Sequence, residues 1–215
     1  GNGSFSEIGQ VSGISNTDWS WSALFADYDN DGLKDLYVTN GYLHDYTNLD
    51  FLKYMDDFIK QKQGGFQRED VLELVKKMPS SNVSNYIFRN QGNLQFTNLS
   101  QKWGLSRPSN SSGAAYADLD NDGDLDLVVN NINLPAFIYQ NQTKQKSDNH
   151  YLGIQLKGNT PNTMGVGATV SIYAGGYSQL QTQMPTRGFQ SSVSFGIHFG
   201  LGKSQTVDSL KVTWA

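Results

Sequence analysis

Residues 26–40 read ADYDNDGLKDLYVTN, and residues 117–131 read ADLDNDGDLDLVVNN. Each stretch places aspartates at alternate positions, bends at a glycine and runs into an apolar, β-prone segment. Asp27, Asp29, Asp31 and Asp35 surround Gly32 in the first; Asp118, Asp120, Asp122, Asp124 and Asp126 surround Gly123 in the second. A hard cation such as Ca²⁺ takes about six to eight oxygen ligands, and carboxylates at alternate positions aim into one concavity. The spacing predicts one Ca²⁺ per loop. The expected ligands are Asp27, Asp29, Asp31, the Leu33 carbonyl and Asp35 in the first loop. In the second they are Asp118, Asp120, Asp122, the Asp124 carbonyl and Asp126. The Asp124 side chain is expected to face solvent, because its counterpart is Leu33.

The opening of each loop resembles an EF-hand, and its end does not. An EF-hand closes with Glu at its twelfth position between two helices; here that position is Val38 or Val129, inside a β-prone run. The closing ligand falls at the ninth position, and the loop joins strand to strand. Without a cation, so many adjacent carboxylates would repel and some would protonate. Mg²⁺ prefers fewer protein ligands and more water, so Ca²⁺ is the better fit. A purely structural acidic turn and a catalytic use of the aspartates are the competing readings.

The two stretches belong to a larger duplication. At a constant offset of 91, residues 1–40 and 92–131 are identical at 18 of 40 positions, which identifies an internal repeat. A strand-like segment, YIFRNQ at residues 86–91, precedes the second copy, and FIYQNQ at 137–142 would open a third. No such segment precedes Gly1, so the chain is expected to start inside a repeat and to be an excerpt. Strands are expected at residues 5–8, 23–26 and 36–39, and in the second copy at 96–99, 114–117 and 127–130. Short strands separated by Gly, Asn and Ser turns indicate an all-β array, sandwich or propeller.

Composition agrees. The chain has 215 residues, enough for a sizeable core; only 17% are charged, and glycines number 22. Cysteine is absent, which excludes disulfides and thiolate metal sites. The net charge is −4, so two bound Ca²⁺ would cancel it. No dense basic patch invites nucleic acid, and no apolar run has the length of a membrane span.

Residues 45–84 interrupt the repeat. Phe51, Leu52, Met55, Phe58 and Ile59, then Val71, Leu72, Leu74, Val75 and Met78, recur at helical spacing. Thr47 and Asn48 can cap the first helix, Lys60 and Lys62 suit its C-terminal end, and Gly64-Gly65 separates it from the second. This predicts an inserted helical hairpin that covers a sheet face or edge, or acts as a lid. Beyond a linker at 144–149, five alternating segments (151–156, 168–173, 178–184, 193–199, 207–214) predict a second, antiparallel β unit. The expected division is 1–143 and 144–215.

The pattern Asp-x-Asp-x-Asp-Gly-x-x-Asp followed by a strand resembles FG-GAP/VCBS repeats, and the flanking Tyr86-Ile87-Phe88-Arg89-Asn90 and Gly92-Asn93-Leu94-Gln95-Phe96 fit the same unit. The segments at 187–192, 198–202 and 207–214 resemble an ASPIC/UnbV domain. Together they are similar to the cartilage acidic protein family and its bacterial relatives. The resemblance implies propeller-type blades, here a partial propeller, followed by a small β domain. It also implies a secreted or cell-surface protein with calcium-binding repeats, acting in adhesion or in binding an extracellular protein or glycan, and no reaction. A role in carbohydrate processing is the alternative.

No catalytic or organic-cofactor residues are assigned. His44, His150 and His198 form no HExxH pair. His198 is expected to be a structural hydrogen-bonding residue, and Arg187 to brace strand ends. Trp19 and Trp21, replaced by Asn110 and Ser112 in the second copy, either pack between sheets or stack on a sugar.

Overall fold

The computed structural model describes residues 3–62, 65–80 and 82–215. Each acidic loop is the turn of an antiparallel hairpin. The first joins β1 (Ser20–Ala26) to β2 (Asp35–Asn40), with Ala26 opposite Asp35. Two helices follow, α1 (Leu49–Gln61) and α2 (Arg68–Lys77), and then β3 (Val83–Ser84), β4 (Tyr86–Asn90) and β5 (Phe96–Asn98). The first sheet has the order β1-β2-β4-β5. After β6 (Pro108–Ser109), which pairs with β3, comes the second copy. Its strands β7 (Ser111–Ala117), β8 (Asp126–Asn131) and β9 (Phe137–Tyr139) form a sheet in that order, with Ala117 opposite Asp126. The duplication extends to irregularities: the register shifts between Ser20 and Ala23 and again between Ser111 and Ala114.

A single helical turn, α3 (Thr143–Lys146), occupies the expected linker. The remaining chain forms β10 (His150–Ile154), β11 (Thr169–Ala174), β12 (Tyr177–Thr182), β13 (Ile197–Gly202) and β14 (Ser209–Thr213). They make two sheets, β10-β13 and β12-β11-β14, all antiparallel. All five C-terminal strands predicted from alternation are present. The molecule is mainly β, and among the described residues its sheets do not close into a barrel.

Three cores hold these sheets. Leu24, Tyr37 and Ile87 from the first sheet pack with Tyr116, Leu127, Val129 and Phe137 from the second, joining the two repeats. Leu36, Val38 and Phe88 are buried on the opposite face of the first sheet, so β2 is buried at all six positions. Val170, Ile172, Ile197 and Phe199 form the core of the C-terminal unit.

Two expectations fail. Residues 5–8 form no strand, and Phe5 is fully exposed. Its counterpart Phe96 lies in β5 because Asn90 of β4 is opposite it; among the described residues nothing fills that place beside 5–8. The helical hairpin exists as periodicity predicts, with Asn48 capping α1 by accepting from the Phe51 N–H at 3.0 Å. Lys62 at the end of α1 pairs with Asp70 of α2. Gly64 lies outside the described residues. Yet the hairpin covers little: Phe51 is the one buried residue of α1, and Leu52, Ile59, Val71 and Leu72 stay exposed.

Phe199 is fully buried in the C-terminal core. Phe199→Ala is expected to cost about 3–5 kcal/mol, the usual range for deleting a buried aromatic ring, measured by urea denaturation.

Candidate metal centre

The two loops are built on one hydrogen-bond frame. In the first, Asp27 accepts from the N–H groups of Asp31 (3.1 Å) and Gly32 (2.8 Å), and Asp31 accepts from the Leu33 N–H (2.9 Å). Asp35 accepts from Tyr28 N–H (3.2 Å) across the loop and from Asn90 N–H (2.8 Å) at the end of β4. In the second, Asp118 accepts from Asp122 and Gly123, and Asp122 accepts from Asp124. Asp126 accepts from Leu119 and from Asn141. Asn30 and Asn121 sit at φ 57° and 60°, and Gly32 and Gly123 both at φ 93°. That left-handed region suits Asn and Gly. The alternating aspartates thus wrap their own backbone into a cup, and the ninth-position aspartate ties the cup to the next strand.

This wrapping brings together Asp27, Asp29 and Asp35 in one loop and Asp118, Asp120 and Asp126 in the other, each triplet with carboxylate oxygens within 4.8 Å of one another. Asp31 and Asp122 stay outside the triplets. The Leu33 side chain is exposed. Asp124 corrects the expectation for its side chain: it is buried, accepting from Asn30 Nδ2 at 2.9 Å and from Lys144 N–H at 2.6 Å. Its counterpart Leu33 faces outward, but position 124 faces the first loop and the start of α3, where a carboxylate has donors to meet.

The first triplet is electrostatically incomplete. Burial pushes the Asp35 carboxyl up to about 8, against the lowering effect of the Asn90 N–H, with repulsion from Asp29 and Asp27 adding to it. Burial likewise raises Asp27 to about 7, and Asp31 and Asp29 repel it further. Asp29 is raised by burial first and by Asp31 second, while Arg89 offsets part of the rise. Asp29 Oδ1 is buried with no hydrogen-bond partner among the described residues. A set of oxygen ligands crowded in a low-dielectric cup, with one oxygen unpartnered, fits a hard divalent cation.

The C-terminal unit docks on both cups. Gly200 of β13 lies against Asp27: a Cβ there would stand 2.0 Å from Asp27 Oδ2. Tyr151 of β10, opposite Gly200 in the ribbon, covers the second loop, where a Cβ on Gly123 would stand 1.9 Å from its ring. Asn30 is the junction. Its amide nitrogen donates to Asp124 Oδ1 and the Gly123 carbonyl, leaving its Oδ1 to accept from His198 Nε2 at 2.6 Å. His198 is therefore protonated on Nε2; burial, then the charge of Lys34, push its pKa down to about 4, so the ring is neutral. The Asn30 carbonyl also accepts from Gly202 N–H at 2.9 Å. The structural roles expected of His198 and Arg187 are both seen: Arg187 bonds the carbonyls of Met184 and Thr182. Trp21 is structural, bonded to the Gly41 carbonyl and packed on Phe189, whereas Trp19 is partly exposed beside Tyr42.

Asn30, Arg89, Tyr151 and Gly200 were not singled out from the sequence. Asn30 carries no signal there, since Asn121 matches it and is exposed.

Comparison with known families agrees with the resemblance. Residues 1–38 and 68–129 match the FG-GAP-like repeat, and residues 158–215 match ASPIC and UnbV. The gap at 39–67 contains α1. No curated protein matches the chain. The chain therefore belongs among proteins that carry FG-GAP-like repeats followed by an ASPIC/UnbV domain.

Two outcomes follow from this geometry. Gly200→Ala is expected to destabilise the fold by about 1–3 kcal/mol, the cost of overpacking, because the added carbon meets the Asn30 backbone at 2.7 Å as well as Asp27; chemical denaturation measures it. The second concerns pH. Asp27 and Asp35 bind their protons more tightly folded than at the ordinary value of 3.8. In chelator, stability contributed by these groups is therefore present below about pH 4 and is lost as pH rises toward 7–8. Asp35→Asn should shrink that loss in melting curves taken across the range.

Proposed function

We propose that this chain is a calcium-binding module of an extracellular or cell-surface protein, non-catalytic, in which the ions fix the C-terminal unit onto the repeats. The duplicated cup carries the reading: two frames matched bond for bond, each converging three carboxylates, the first of them buried at Asp27 and Asp35. In this reading Asp27, Asp29, Asp31, the Leu33 carbonyl and Asp35 hold one ion. Asp118, Asp120, Asp122, the Asp124 carbonyl and Asp126 hold the other. Asp31 and Asp122 lie outside the converged triplets, so binding would draw each inward from its backbone bond. In the first cup calcium would supply positive charge where burial now favours protons.

The non-catalytic reading is supported by how the chemical groups are used. The aspartates serve the cups, and His198 is held by Asn30. A recognition role finds support in a surface aromatic cluster with Trp19 and Tyr46 exposed and Tyr42 half-buried between them: Trp19 lies 4.9 Å from Tyr42, which lies 6.2 Å from Tyr46, centroid to centroid. Rings presented this way can stack on a glycan or pack on a protein partner. Among the described residues no helix is long and apolar enough to cross a membrane.

Calorimetry with and without EGTA tests the calcium reading. A lower melting temperature in EGTA is expected, with Asp35→Asn and Asp126→Asn each reducing the calcium-dependent shift; an unchanged transition would sink it. A glycan array with wild type and Trp19→Ala addresses the partner: signal lost in the variant is expected for a glycan ligand, and turnover of any glycan would overturn the non-catalytic reading.

A further inference from the structure

The two cups share a frame but not a charge environment. Arg89, at the end of β4, donates from Nε to Asp29 Oδ2 and from Nη2 to Asp31 Oδ2 at 2.9 Å. The equivalent position in the second copy is fixed by register: Phe88 lies opposite Leu36 as Tyr139 lies opposite Leu127. The residue matching Arg89 is therefore Gln140, and it makes the matching contact, Nε2 to Asp120 Oδ2 at 2.7 Å. One cup is clasped by a fixed guanidinium, the other by a neutral amide. Lys34 adds to the difference. It is half-buried near Asp27, and Leu125 stands at its place in the second copy. Exposure differs in the same sense, since Asp29 is partly buried and Asp120 is exposed.

We propose that Arg89 is the residue that makes the two cation sites unequal: the second loop fills first, and the first loop is the weaker site, held down by its own arginine. The inference rests on the calcium reading above. A guanidinium in contact with two carboxylates of the cup repels an entering divalent ion. At an effective dielectric of about 20, one unit charge a few ångströms from a doubly charged ion changes affinity by about tenfold or more. Arg89 also orients Asp29 and Asp31, which favours binding. Glutamine keeps that benefit at the Asp29 position, as the Gln140–Asp120 contact shows, whereas the repulsion is lost.

The test is a calcium titration of the whole chain by calorimetry, with terbium luminescence as a second readout. Wild type should bind in two steps, Asp126→Asn removing the tight step and Asp35→Asn the weak one. Arg89→Gln should tighten the weak step about tenfold or more. The reciprocal Gln140→Arg should loosen the tight step by a similar factor, which keeps the proposal testable if one variant fails to fold. Two steps that Arg89→Gln leaves unmoved or weakens, or a tight step lost in Asp35→Asn, would overturn the inequality while leaving calcium binding standing. No binding by wild type at millimolar calcium would overturn both readings.

Discussion

The structure depends on carboxyl groups held at the turns of two hairpins. Asp35 and Asp126 are buried, and each accepts two backbone N–H groups, one within its own loop and one at or just beyond the end of the strand that pairs with its own. A hydrophobic residue could not do this, because the N–H groups at the loop and strand ends would be left without acceptors, at a cost of about 1–3 kcal/mol each. A single carboxylate satisfies two of them. The consequence is that further carboxylates, needed to satisfy the rest of the turn, crowd beside it. The burial that raises Asp27 and Asp35, and the repulsion that adds to it, are thus by-products of how the turn is built, and the same crowding is what suits it to a divalent ion.

The position of the C-terminal unit follows from that constraint. A cup of buried carboxylates cannot be left against apolar surface. The β10–β13 ribbon meets it with a glycine at the tightest point, Gly200, and with polar groups around it: His198 and Gly202 on Asn30, and the Asn149 amide on the Asp29 carbonyl. Tyr151 and His198 stack at 5.5 Å between the two cups. Asn30 then links three parts of the chain, the first loop, the second loop through Asp124 and Gly123, and β13. The loops are therefore a joint between the units, and ligand recognition is better sought away from them, where Trp19 and Tyr46 are exposed beside the half-buried Tyr42.

What could be read from the sequence was what depends on neighbours along the chain. The alternating aspartates, the turn glycines and the strand after each loop are local, and the offset of the two copies fixed their equivalence. The Asn48 cap and the helical periods were legible for the same reason. Pairing partners across the fold were not. The Asp124 side chain looked like a solvent-facing extra because its counterpart is Leu33; only the approach of Asn30, 94 positions away, explains its burial. Gly200 looked like one glycine among 22 until β13 was seen against Asp27. Phe5 had the side chain of a strand residue but no β4-like neighbour, so propensity had nothing to pair with.

Duplication explains both the symmetry and its breaking. Two copies of one sequence pattern reproduce the same backbone bonds, even the same irregularity in the hairpin, because those bonds are made within the copy. The copies differ wherever a group is met from outside. Asn30 is buried under β13, while Asn121 is exposed; Tyr28 is buried in the inter-repeat core, while Leu119 is exposed. Arg89 and Gln140 sit at equivalent register and share one equivalent contact, to Asp29 and Asp120, yet Arg89 also holds Asp31 and carries a charge that Gln140 does not. In a repeat protein the frame of a site belongs to the repeat and its strength belongs to its surroundings, so equal motifs give no warrant for equal affinities. Here the surroundings are specific enough, one guanidinium and one ribbon of strands, to say which of the two cups is the more restrained.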